Sequence, residues 1–187
     1  MDNAINDRLE DALSQHDALE DLADQLQPLL RTALERLPAP LLSAMHGEMI
    51  GHPLHPILIH LPLGGWLIAG ILDFVPLPGA EDTAHAADLA LLLGTVGAGA
   101  AVGTGWADWS NTRGEARRTG LIHGLLNETA FILNGASLVC RARGKRRLGK
   151  FLSGSGLLLA AAGGFLGGQL VYRHGLGVGQ TLARRQG

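Results

Sequence analysis

At 187 residues, 47% hydrophobic and 17% charged, the chain is long enough for one soluble domain, but the clustering of its apolar residues excludes that class. The formal net charge of −2 hides an asymmetry: residues 1–37 hold nine acids and three arginines, net −6, and the remainder holds eight acids and twelve bases, net +4. The bases lie beside apolar stretches, which argues against a nucleic-acid partner, and the single Cys140 excludes an internal disulfide.

Ile5, Leu9, Ala12, His16, Leu19, Ala23, Leu26, Leu30, Ala33 and Leu37 recur alternately four and three residues apart. That spacing is a heptad seam with an acidic outer face. It suits an amphipathic helix folded onto its own protein, or a contact between protomers that would make a homo-oligomer. Pro28 removes a backbone donor, so one helix is expected to about Gln27 and a second from Pro28. Leu37-Pro38-Ala39-Pro40 closes the segment, and 41–50 is expected to form a short interfacial helix. Residues 1–45 are read as an acidic helical extension, 46–180 as a transmembrane domain and 181–187 as a tail.

Four apolar stretches follow, at 54–75, 84–106, 119–139 and 151–172. Each has about 20 residues or more, enough at roughly 1.5 Å per residue to cross a hydrocarbon core of about 30 Å. Lipid offers no partner to the backbone, so the spans must be helical. No basic stretch followed by an apolar core stands at the N-terminus, so the first span is expected to direct insertion. Gly99/Gly103, Gly163/Gly167 and Gly164/Gly168 lie four apart and open flat faces for close helix packing. The links 76–83, 107–118 and 140–150 are short, so neighbours run antiparallel. The expected fold is all-α: an up-down four-transmembrane-helix bundle with an amphipathic N-terminal extension. Bases near the span ends are balanced on the two sides, so they do not orient it. A charged N-terminal segment is hard to export, which favours a cytoplasmic N-terminus and a bacterial cytoplasmic (inner) membrane.

This threading gathers polar residues in one leaflet: His52, His55 and His60; Trp106, Asp108 and Trp109; His123 and Asn127; Gln169, Tyr172 and His174. The aromatics suit an interfacial belt. His60 and His123 lie at similar depth on different spans, a pairing able to coordinate an iron porphyrin or another metal. In His52-Pro53-Leu54-His55-Pro56 each histidine precedes a proline and leaves helical geometry. Pro62 frees the carbonyl of Leu58 beside His60. His123, Asn127 and Asn134 share a helix face near Glu128, and Asp88 lies inside the second span; intramembrane ionisable groups normally face the interior. Met45, His46, Met49, His52 and His55 offer thioether and imidazole ligands suited to copper. Walker A, G-x-S-x-G and H-E-x-x-H motifs are absent.

Gly51-His52-Pro53-Leu54-His55-Pro56, then His60 and Pro62, the His123/Asn127 pair and the ending Gly167-Gly168-Gln169-Leu170-Val171-Tyr172-Arg173-His174-Gly175 resemble a bacterial membrane family known as domain of unknown function 2231. The stretch from His46-Gly47 through Pro56 resembles a branch of it joined to a Rieske iron–sulfur domain. This chain lacks the paired Cys and His ligands of such a cluster. The resemblance implies electron transfer in the membrane and a Rieske-type redox partner. In that branch the position of His60 is often acidic, which leaves His55 and His123 as alternative ligands.

The combined expectation is a small membrane redox protein of cytochrome b type rather than a hydrolase or transferase. Two of His55, His60 and His123 would hold haem b or another metal, with Asn127 and Asp108 orienting the imidazoles and His52 nearby. The alternatives are a non-catalytic scaffold or assembly subunit, and a proton or ion path along His60, His123, Glu128 and Asp88.

Overall fold

A heptad face must be covered, and helix α1, Asp17–Glu35, covers its own by folding back on the chain. In the computed structural model, which describes residues 8, 11, 16–75 and 80–177, Leu19, Ala23, Leu26 and Leu30 pack against Trp109 and Leu121. The middle of the seam is therefore covered from within the chain. Ile5, Leu9 and Ala12 of the seam, residues 76–79 of the first link and the tail 181–187 lie outside the described residues.

α1 runs unbroken through Pro28, contrary to the break expected there. Only one backbone bond is lost to the proline, and bonds from the next turns hold the helix in place. Gln27 Nε2 donates to the carbonyls of Trp109 and Thr112, both at 3.1 Å, and Arg31 Nε donates to that of Ser110 at 2.8 Å. Tertiary anchoring overrides the local signal. Helix α2, Ala39–Met45, and a 3-10 turn, Glu48–Ile50, occupy the stretch read as interfacial, with Leu41, Met49 and Ile50 exposed.

Helices α3 (His55–Leu58) and α4 (His60–Phe74) are one span interrupted at Ile59, next to the carbonyl that Pro62 cannot serve. Helices α5 (Ala80–Trp109), α6 (Gly114–Ala142) and α7 (Arg146–Tyr172) complete an all-helical chain, with no strand among the described residues. His55–Phe74, Thr83–Trp109 and Arg146–Tyr172 are long and apolar enough to cross a membrane. Helix α6 is long enough at 29 residues but less apolar. Three of its polar side chains, Thr119, Asn134 and Ser137, are fully buried. Between 119 and 139 its exposed positions 125, 129, 132, 136 and 139 read Leu, Thr, Ile, Ala and Val, an uncharged stripe at helical spacing.

The chain forms two compact units. The first comprises Met1–His55, Gly103–Leu125 and Gly163–Gly187; the second comprises Pro56–Val102 and Leu126–Ala162. The core of the second is Trp66, Ala69, Leu91, Ala98, Ala130 and Ala160. Small residues let backbones touch there: a Cβ on Gly65 would stand 2.7 Å from Gly94 Cα, and one on Gly156 would stand 2.5 Å from Asn134 Nδ2. Trp66 Nε1 donates to Thr95 Oγ1 at 3.1 Å, and that hydroxyl donates to the Leu91 carbonyl at 2.7 Å. The pairs read as flat faces behave differently. Gly103, Gly164 and Gly168 have nothing within 4 Å of an added Cβ, whereas one on Gly167 would stand 3.0 Å from His123 Cε1.

The second unit also holds an ionic cluster. Asp73, at the end of α4, and Arg141, at the end of α6, have side chains 1% and 2% exposed and form a direct salt bridge. Arg141 also donates to Asp88 of α5 at 2.8 Å and to Ser153 of α7 at 2.9 Å. Arg146 bonds Asp88 and Asp73, and Lys150 Nζ donates to the Asp73 carbonyl at 2.8 Å. Four helices thus meet in one charge network. Removing one member of a buried pair strands the other, so Arg141→Met is expected to cost about 3–5 kcal/mol, measured as unfolding in mixed detergent micelles. Arg141→Met with Asp73→Leu should recover much of that loss. Gln27→Leu leaves two carbonyls without their donor and should cost about 1–3 kcal/mol, measured as faster proteolytic release of α1.

Candidate functional site

The first unit contains most of the residues singled out by the sequence. Gly47 makes their arrangement possible: its φ is +70°, and a Cβ there would collide with the carbonyl oxygen of His52. The segment leading to α3 therefore folds tightly. His46, at the end of α2, places Nδ1 3.0 Å from Asp108 Oδ1 on the last turn of α5. Each side chain is about a quarter exposed, at 25% and 24%.

His55 opens α3 and lies half-buried with its ring on Gly105 of α5: a Cβ there would be 2.9 Å from His55 Cε1. His123, on α6, lies on Gly167 of α7 in the same way, at 3.0 Å from Cε1. The two rings meet edge to face with centres 6.1 Å apart and planes at 86°. His123 Nδ1 is 2.7 Å from the Gly163 carbonyl. A carbonyl only accepts, so Nδ1 carries the proton and the lone pair of the neutral ring is on Nε2. Asn127, one turn beyond His123, is half-buried.

Of the three histidines read as ligands, the structure brings His55 and His123 together. His60 belongs to the second unit, where its exposed ring places Nδ1 3.1 Å from the Ile57 carbonyl one turn back. His52 is exposed. Asp108 faces His46 rather than orienting either member of the pair. Among the Met and His residues read as a copper set, Met49 is 78% exposed and His46 is engaged by Asp108. Among the described residues no three His, Cys, Asp or Glu side chains converge as metal ligands.

Trp106 and Trp109 pack inward, unlike the interfacial belt expected of them. Their rings meet edge to face at 5.2 Å and lie over Gly124 and Gly120 of α6. Trp109 Nε1 donates to the Arg117 carbonyl at 2.8 Å. Tyr172, at 92% exposed, suits the belt. Asp88, read as part of an ion path, is bound to Arg141 and Arg146.

The cluster of Asp73, Asp88, Arg141, Arg146 and Lys150 was not foreseen, because Arg141, Arg146 and Lys150 read as ordinary link residues. The available signal was opposite charge at span ends on one side: Asp73 two residues before the end of the first span, and Arg141 two beyond the end of the third. Gln27 and Arg31 gave no such signal.

No curated protein and no solved structure matches this chain. A family model described as a predicted membrane protein matches residues 51–180, which takes in α3 to α7, the histidine pair and the ionic cluster. The chain belongs to this family, DUF2231.

Proposed function

We propose that the protein is an electron-carrying membrane protein whose redox group is held between His55 and His123. The observation that carries this reading is the edge-to-face meeting of the two rings, 6.1 Å between centres. His55 and His123, with ring centres 6.1 Å apart, would hold the group, each through one ring nitrogen. The seats support it: the missing Cβ of Gly105 and of Gly167 lets each imidazole pack directly on the neighbouring helix backbone. The bond from Nδ1 of His123 to a backbone carbonyl is the usual way of fixing a ligating imidazole. Haem b is the favoured group, with His55 and His123 as its ligands. When bound, it supplies one-electron transfer within the bilayer.

The reading places four helices across the bacterial cytoplasmic membrane in up-down order. The uncharged outer stripe of α6 supports its membership as the fourth, since only that stripe would meet lipid. The likeness of residues 46–56 to a branch joined to a Rieske domain suggests a Rieske-type protein as the redox partner.

A second reading, a non-catalytic scaffold, is favoured by the Asp73–Arg141 network, which ties four helices together without an open ligand position.

An oxidised-minus-reduced visible spectrum of protein purified from haem-supplied cells, with metal analysis, separates the two. The redox reading expects a Soret band that His55→Ala and His123→Ala each abolish and His60→Ala leaves in place. Absence of both band and bound metal would favour the scaffold.

A further inference from the structure

Where α1 crosses the turn between α5 and α6, a groove of about 270 Å³ opens, lined by Asp24, Gln27, Arg31, Thr112, Arg113 and Arg117 among others. Three guanidinium groups share this wall with one carboxylate, and the local pairing leaves positive charge over. Arg117 bonds Asp24 and, at 3.1 Å, Glu20 outside the groove; Glu20 also binds Arg118 at 2.8 Å. Those acids are thereby spent. Arg31 uses Nε on the Ser110 carbonyl and has no ion pair among the described residues. Arg113 is exposed and has neither hydrogen bond nor ion pair among them.

The groove therefore presents two uncompensated guanidinium forks, on α1 and on the turn. A planar fork of this kind matches the oxygens of a phosphate better than a point charge does. Its depth is informative too. Trp109 ends a helix long and apolar enough to cross a membrane, and its 27 residues exceed a hydrocarbon core of about 30 Å, so the turn after it would stand at headgroup level. Phosphates are the anions concentrated at that level. Asp24 adds a restriction: a phosphodiester with hydroxyl or amine groups fits beside it, whereas a second carboxylate would be repelled.

We infer that this groove binds a phosphate-bearing anion of headgroup size, with Arg31 and Arg113 as its two clamps. Such a ligand bridges the extension and the α5–α6 turn, so binding would hold α1 in its docked position.

The test uses the full-length protein in neutral detergent. Native mass spectrometry compares retention of dioleoylphosphatidylglycerol with that of dioleoylphosphatidylcholine. Thermal unfolding is followed with inorganic phosphate and with glycerol 3-phosphate. Arg31→Gln and Arg113→Gln should each weaken retention of the anionic lipid about tenfold, the usual scale for losing a charge-assisted bond. Arg113 has no partner among the described residues, so its variant tests the groove without breaking a described contact. Arg36→Gln, with the same loss of charge at the exposed end of α1, should change nothing. A rise in Tm with the free phosphates, lost in Arg113→Gln and unaccompanied by lipid retention, would identify a soluble phosphoester as the ligand in the same groove. Equal retention of the two lipids with no response to free phosphate would overturn the proposal. So would loss in Arg36→Gln as large as in Arg113→Gln, or no binding of any probe.

Discussion

A guanidinium almost wholly removed from solvent is a severe constraint on its surroundings, and Arg141 imposes it on the second unit. Its charge needs a carboxylate and its other donors need acceptors. The fold supplies Asp73, Asp88, Ser137 and Ser153, from α4, α5, α6 itself and α7. Each partner must arrive at one point, so four helix ends are fixed before any apolar contact is counted. The small-residue core around Trp66 then closes between helices whose spacing is already set. In a lipid surrounding, where apolar contact between helices has little driving force, this electrostatic fixing matters more than it would in water.

The four apolar stretches and the helical extension were legible because they follow from what lipid and water each demand of a backbone. The direction of burial was not. Heptad spacing in α1 announces a covered face without naming what covers it; the seat of Leu19, Ala23, Leu26 and Leu30 at Trp109 and Leu121 is visible in the structure alone. Glycine spacing was ambiguous in the same way. Gly164/Gly168 has the pattern of a packing face and meets nothing, whereas Gly65 and Gly94, twenty-nine residues apart in sequence, bring two backbones into contact. The mean hydropathy of α6 averages buried polar residues such as Asn134 and Ser137 with exposed apolar ones such as Ile132 and Val139.

The histidine region was legible in part. Chain threading placed His55 and His123 at corresponding ends of their spans, and they do meet. His60 was paired with His123 on depth alone, which fixes height along a helix but not rotation about its axis; its ring lies beside the Ile57 carbonyl one turn back. Asp108 shows another limit: its partner, His46, precedes the span and was assigned to a different ligand set.

The docking of α1 also has a biosynthetic consequence. Its bonds to the α5–α6 turn and to α6 join residues 79 to 98 positions apart, so the ribosome delivers the helix long before its seat. At about 5–20 residues per second the interval is roughly 4–20 s, during which the apolar seam has no cover of its own. A nascent chain in that interval offers a ready target to chaperones that hold exposed apolar segments. Closure of the extension then marks the moment when α5 is complete and α6 has begun.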